Sequence, residues 1–414
     1  MTAEVLASPE VARVVVARAL RGFADGLVSV LLATYLTALG LSPFQIGAVI
    51  TGTLIGSAAL TLGVGLSAHR LPLRSLLLIA SGLMLATGLG FAAVTDFWLL
   101  MVVAVIGTLN PSGGDVSVFL PTEQAFLAGS VDAERRTHLY ARYNLAGGLA
   151  AALGALASGA PEPLSRALGW EVRTTQRAGF MVYAAIAIAV ALVYRGLPRD
   201  GGGTAGADPP PRQPLRESRR TVFELAALFS LDSAASGFVV QSLLVLWLHL
   251  RFDLSTGTTA GVFFAAGLLG GASQLLAGPL AARIGLIRTM VFTHLPANAL
   301  LVVAAFAPRA DLAIGLLLAR ALFSQMDVPA RQAFVMAVVT PGERAAAASV
   351  TNVPRSLASA TTPLLAGLLL ARTDFGWPLV IAGSGKIAYD VLLLVLFRDV
   401  PAEIGGRRPG REPA

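Results

Sequence analysis

Asn110, Asp115 and Glu123 lie close together in a segment that is otherwise apolar and broken by Pro111, Gly113, Gly114 and Pro121. An apolar run, Trp98 to Ile106, leads into it. Carboxylates at bilayer depth can exchange protons or close ion pairs, and an amide can hydrogen-bond a polar solute. Such groups are costly in lipid and persist where they face a cavity or a partner helix. The stretch recurs 208 residues later: Pro121-Thr-Glu-Gln-Ala-Phe126 is echoed by Pro329-Ala-Arg-Gln-Ala-Phe334. Around the echo stand Arg320, Ser324, Asp327 and Arg331. Three more apolar stretches carry ionisable groups: Arg18, Arg21 and Asp25; Asp232 with Gln241; and Lys386 with Asp390.

The elements that position these residues must be membrane helices. Of 414 residues, 55% are hydrophobic and 13% charged, against about 25% charged in soluble domains. The net charge of +7 comes almost wholly from arginine, since Lys386 is the sole lysine. Those arginines sit mostly in loops, where they orient a membrane protein rather than bind nucleic acid. The absence of cysteine excludes disulfides, thiolate metal ligands and cysteine nucleophiles. The four histidines have no metal-ligand spacing, and no phosphate loop, nucleophile elbow or zinc-protease helix is present. No metal, cofactor or enzymatic site is expected. The N-terminal apolar run continues into a full span and is not a cleavable signal.

With about 20 apolar residues per crossing, twelve spans are expected, an all-α membrane fold. Six fall at 13–38, 44–68, 73–94, 97–128, 138–160 and 177–195; six more at 221–249, 257–282, 286–306, 311–338, 345–371 and 377–398. A Gly-, Pro- and Arg-rich linker, 196–220, separates two six-helix bundles, 1–195 and 221–398, and 399–414 forms a tail. With the N-terminus inside, eighteen arginines fall in inner loops and tail and six in outer ones. The positive-inside rule then puts both termini in the cytoplasm.

The halves echo each other beyond the opening stretch. Gly65-Leu-Ser-Ala-His-Arg70-Leu-Pro-Leu, followed by Arg74, matches Gly278-Pro-Leu-Ala-Ala-Arg283-Ile-Gly285-Leu at an offset of 213. An even number of spans in each half makes this a parallel repeat about an axis along the membrane normal. On these features the chain resembles the major facilitator superfamily over essentially its whole length. Gly65, Arg70 and Arg74 match the family motif in the loop between spans 2 and 3, while His69 stands where the family has Asp and Pro72 where it has Gly. The second copy keeps Gly278, Arg283 and Gly285, with Ala282 at the Asp position. The family aspartate helps lock the cytoplasmic side, so the lock here is expected to differ. Glycines in the fifth span (Gly147, Gly148, Gly154, Gly159) look like the family's antiporter motif without its proline, and small residues also serve plain helix packing.

The resemblance implies that spans 1, 4, 7 and 10 line a central cavity. At about 1.5 Å per residue, a span entered at Trp98 puts Asn110 near the midplane, Asp115 in the inner half and Glu123 near the cytoplasmic end. Ser112, Asp115, Phe119 and Glu123 would share a face, as would Arg320, Ser324, Asp327 and Arg331. Asn110, Ser112, Asp115, Gln241, Ser324 and Asp327 are the expected cavity groups, and Asp25, Asp115 and Asp232 the candidate proton carriers. Glu123 and Arg331 form a candidate cytoplasmic gate, the alternative being that each bonds within its own half. Asp25 has as its alternative a permanent pair with Arg21. Lys386 and Asp390 are expected to pair within span 12, which is peripheral in the family.

The implied function is secondary transport of a small solute across a bacterial inner membrane by alternating access, coupled to protons. Export by antiport is favoured over uptake by symport on the fifth-span glycines. A sensor on the same fold would carry a sizeable extra cytoplasmic domain, which a linker of about 25 residues does not provide. The expected partners are the solute, protons and lipid, with no nucleic acid and a monomeric carrier.

Overall fold

The computed structural model describes residues 8–67, 72–112, 119–130, 133–198, 216–339 and 343–398. The helices before residue 199 are α1 (Pro9–Ala38), α2 (Pro43–Ser67), α3 (Leu73–Ala93), α4 (Phe97–Ile106), α5 (Phe119–Ser130), α6 (Ala133–Ala157), α7 (Pro161–Leu168) and α8 (Val172–Arg195). Those after residue 215 are α9 (Arg219–Gly237), α10 (Gln241–Phe252), α11 (Thr256–Ile284), α12 (Leu286–Ala305), α13 (Ala310–Ala321), α14 (Asp327–Val338), α15 (Arg344–Arg372) and α16 (Trp377–Phe397).

The helices start where the sequence provides caps. Ser8 Oγ accepts from Val11 N (3.2 Å) ahead of Pro9, Asp96 Oδ1 accepts from Trp98 N and Leu99 N (3.0 and 3.1 Å), and Ser255 Oγ accepts from Thr258 N (3.1 Å). Gly285, at φ +88°, turns the chain between α11 and α12, a conformation open to glycine.

These elements map onto the expected twelve spans, because α4/α5, α9/α10 and α13/α14 are three spans in two pieces each. The short α7 was not anticipated; it packs on α8 between spans five and six. Among the described residues, seven helical stretches, with α9 and α10 taken as one, are long and apolar enough to cross a bilayer. Large apolar side chains, among them Leu275, Leu276, Val395 and Phe306, face outward, as lipid requires. Trp98, Trp170 and Trp377 are exposed at or beside the starts of α4, α8 and α16. Alternation of the spans puts all three at the face opposite the termini, here the distal face, as an interfacial aromatic girdle.

Lipid offers no hydrophobic drive for helix association, so close backbone approach does that work. A Cβ on Gly26 would lie 1.9 Å from the Ala151 carbonyl oxygen, and one on Gly154 1.9 Å from that of Phe23. The fifth-span glycines Gly147 and Gly154 therefore serve to seat α6 against α1. The halves meet in the same way near the distal face. A Cβ on Gly47 of α2 would stand 2.6 Å from Pro363 O of α15, and one on Gly159 3.2 Å from Ala260 Cβ of α11. Glu162 Oε1 accepts from Thr256 N across this seam (3.0 Å).

Candidate functional site

The three broken spans bring irregular backbone to membrane depth, where each freed polar group needs a partner. After α4 the chain leaves the helix at Gly107. Thr108 N bonds Thr87 Oγ1 (3.2 Å), and Asn110 Oδ1 accepts from Ser112 N and Ser112 Oγ (3.1 and 2.6 Å). Pro111 O is met from the other half by Ser242 N (3.2 Å), and Ser242 Oγ lies 2.6 Å from Ser29 O and 3.1 Å from Pro111 O. Ser242 thus ties span 7 to spans 1 and 4. The break also corrects two expectations. Ser112 and Glu123 do not share one continuous helical face, and the Arg320-to-Arg331 face is interrupted between Ala321 and Asp327. Asp115 lies outside the described residues.

In the first half, Glu123 is fully buried and receives Arg21 Nη2, Tyr143 Oη and Tyr194 Oη. The Arg21 guanidinium also lies 4.3 Å from the Phe119 ring centre, a cation–π contact. Glu123 therefore bonds within its own half and does not meet Arg331. The expected Arg21–Asp25 pair does not form either, because Arg21 is turned to Glu123. Asp25, 9% exposed, makes no hydrogen bond or ion pair among the described residues.

In the second half, Asp232 of α9 is held from two sides: Lys386 Nζ stands 2.7 Å from Oδ1 and Arg331 Nη1 3.3 Å from Oδ2. Arg331 also lies 3.4 Å from Asp327, one helical turn earlier in α14. The expected Lys386–Asp390 pair is replaced. Asp390 receives His294 Nδ1 at 2.9 Å and Asn298 Nδ2 at 3.0 Å, both from α12. The lysine of span 12 is thus wired into the charge cluster of spans 7 and 10. Arg355 Nε donates to Ser233 Oγ (2.8 Å). Arg320 is the exception. Its Nε is buried without a hydrogen-bond partner, and it makes no ion pair among the described residues.

Of the remaining expected groups, Gln241 is half-buried at the first turn of α10 and Ser324 half-buried in the turn before α14, where its N–H bonds Arg320 O (3.0 Å). In the motif loops, Gly65 lies in α2 and Arg70 outside the described residues; Arg74 donates to Leu197 O at the end of α8 (3.2 Å). Gly278 has open space around it, Gly285 makes the turn, and Arg283 is exposed. At the distal face a cavity of ≈ 210 Å³ is lined by Thr34, Thr37, Glu162, Gln176 and His249 among others.

Sequence reasoning placed Ser242 among the polar groups of span 7 but did not single out Tyr143, Tyr194, His294, Asn298 or Glu343. His294 and Asn298, one turn apart in an apolar span, carried a readable signal. The tyrosines did not, being ordinary in membrane helices. Glu343 accepts the backbone N–H groups of Arg216, Glu217 and Ser218, fastening the start of α9 to that of α15. These three donors, Arg216 first, hold its carboxyl down at about 2.

Residues 14–324 and 273–414 match the family model of the Major Facilitator Superfamily. The uncharacterized membrane protein YJR124C of Saccharomyces cerevisiae is 25% identical over 418 residues, covering 93% of each chain. Among solved structures, the inward open conformation of the xylose transporter XylE from E. coli superposes with a TM-score of 0.74 at 14% identity, covering 96% of this chain and 98% of that one. The nucleoside transporter NupG gives 0.71 at 14% identity, with 94% and 99% covered. A bacterial homolog of the human lysosomal transporter Spinster, inward-facing and unoccupied, gives 0.66 at 15%, with 93% and 94% covered.

Proposed function

Because the chain belongs to the Major Facilitator Superfamily, a family of multi-pass carriers of small solutes, we propose that it couples solute movement to protons through Asp25. The observation that carries the reading is that this carboxylate has no hydrogen-bond or ion-pair partner among the described residues. Every other described acidic residue deep within the spans has a donor or cation beside it, namely Glu123, Asp232, Asp327 and Asp390. Asp25 changes protonation state without dismantling an ion pair, which a carrier must do once per cycle. Asp232, pinned between Lys386 and Arg331, is assigned instead to holding the second bundle together.

The two bundles, 1–195 and 221–398, would rock about the Ser242 contact. The seam at Gly47, Gly159 and Glu162 closes the distal face, so this conformer would present the cavity to the side of the termini. The arginine distribution makes that side the cytoplasm, and a bacterial cytoplasmic membrane is the proposed location. The fifth-span glycines do not decide direction, since packing accounts for three of the four: Gly147 and Gly154 seat α6 on α1, and Gly159 meets α11. Antiport and symport are therefore separated by assay.

Proteoliposomes with an imposed pH gradient test the reading. Solute is expected to move against its own gradient, out of the acidified compartment if symported and into it if antiported. Asp25→Asn is expected to retain downhill exchange while losing the response to pH. Full pH dependence in that variant would exclude Asp25 as the carrier of the proton.

A further inference from the structure

We infer that the cargo carries an anionic group, a carboxylate or a phosphate, and that Arg320 receives it; this rests on the transporter reading above. Arg320 lies ten residues into α13 from Ala310 at the distal end, roughly 15 Å along the axis and so near the middle of a bilayer core. That depth is out of reach of lipid headgroups for a side chain held inside a bundle. Its Nε is buried and has no hydrogen-bond partner, and no described carboxylate comes within ion-pairing distance. The nearby acids are already committed. Asp232 takes Lys386 and Arg331, and Asp327 shares Arg331.

The other cations at this depth in the second half are engaged: Arg331 and Lys386 hold Asp232, and Arg355 donates to Ser233 Oγ. A charge held in a membrane interior without an ion-pair partner is costly, and an anion arriving with the cargo would supply one to Arg320. Guanidinium suits this task, since its planar fork of donors matches carboxylate and phosphate oxygens two at a time. A neutral solute would leave the Arg320 guanidinium without a counter-charge.

The test is a melting assay on the purified full chain at constant ionic strength, with succinate, phosphate and sulfate as probes against succinamide and glucose as neutral counterparts. At least one anion is expected to raise the melting temperature of the wild type while the neutral compounds do not. Arg320→Gln should require at least tenfold more of that anion for the same shift. Arg320→Lys, which keeps the charge and loses the fork, should fall between; it also serves if the glutamine variant does not fold. Three results would overturn the inference: an anion shift undiminished in both variants, stabilisation by a neutral probe alone, or a response to short-chain phosphatidylglycerol with none to the free anions. Failure of the transporter reading looks different, as the absence of gradient-driven flux of any solute. Robust flux of a neutral solute that Arg320→Gln leaves intact defeats only the anionic cargo.

Discussion

Consider replacing Lys386 with methionine. Its ammonium stands 2.7 Å from Asp232 Oδ1, with both side chains less than a tenth exposed, and Arg331 approaches the other oxygen at 3.3 Å. At an effective dielectric of about 20, these separations correspond to direct attractions of about 6 and 5 kcal/mol. Most of that is offset by desolvation, and removing one partner of a buried pair costs about 3–5 kcal/mol. In Lys386→Met, however, Asp232 keeps Arg331, so the loss should fall at or below the lower end. In Asp232→Asn, Arg331 still has Asp327 at 3.4 Å, but Lys386 keeps no carboxylate at all, so the loss should be the larger of the two. The double variant should recover part of the damage, with a coupling of about 1–3 kcal/mol. Unfolding in mixed micelles of rising SDS fraction measures all three. Additivity within about 0.5 kcal/mol would refute the pairing, as would a stronger coupling of Lys386→Met to Asp390→Asn than to Asp232→Asn.

Two further outcomes follow from the geometry. The chain has no cysteine, so Gly159→Cys with Ala260→Cys introduces a single addressable pair; at a Cβ separation of about 3.2 Å, close to the usual range for a disulfide, oxidation should close the distal seam and stop transport, and reduction should restore it. Glu343 is held down from 4.5 to about 2, so its contribution to stability is complete above the unfolded value and is lost as pH falls through 4.5 towards 2. Glu343→Gln should therefore melt lower than wild type at pH 7 and show a flatter dependence between pH 5 and 2; parallel curves would exclude the role.

The fold was legible because span length and repeat offset are one-dimensional signals. The expected span at 257–282 is the helix Thr256–Ile284, and that at 286–306 is Leu286–Ala305. The breaks at Gly107 and Ala321 were less legible. Pro111 and Gly113–Gly114 marked the first, but nothing in Leu322-Phe-Ser-Gln-Met326 marks the second. Pairings were the least legible part. The pseudo-symmetry set Glu123 opposite Arg331 and spacing set Lys386 beside Asp390, yet each of these side chains found a partner on another helix of the same bundle, Arg331 keeping Asp327 on its own helix as well. Lys386 reaches Asp232 across 154 positions of sequence. Helical spacing reports which residues share a face and says nothing of which neighbouring helix that face meets.

Every ion pair between two described residues lies within one half of the chain. Among the described residues, what crosses between the halves includes glycine against backbone and small side chains, the Ser242 hydroxyl and N–H, and Glu162 on a peptide N–H. Among the described residues, opening the distal seam therefore separates no charge from its counter-charge. The barrier to switching is set by dispersion contacts and a few hydrogen bonds, so the exchange rate should respond weakly to salt and strongly to the size of the side chain placed at Gly47 or Gly159.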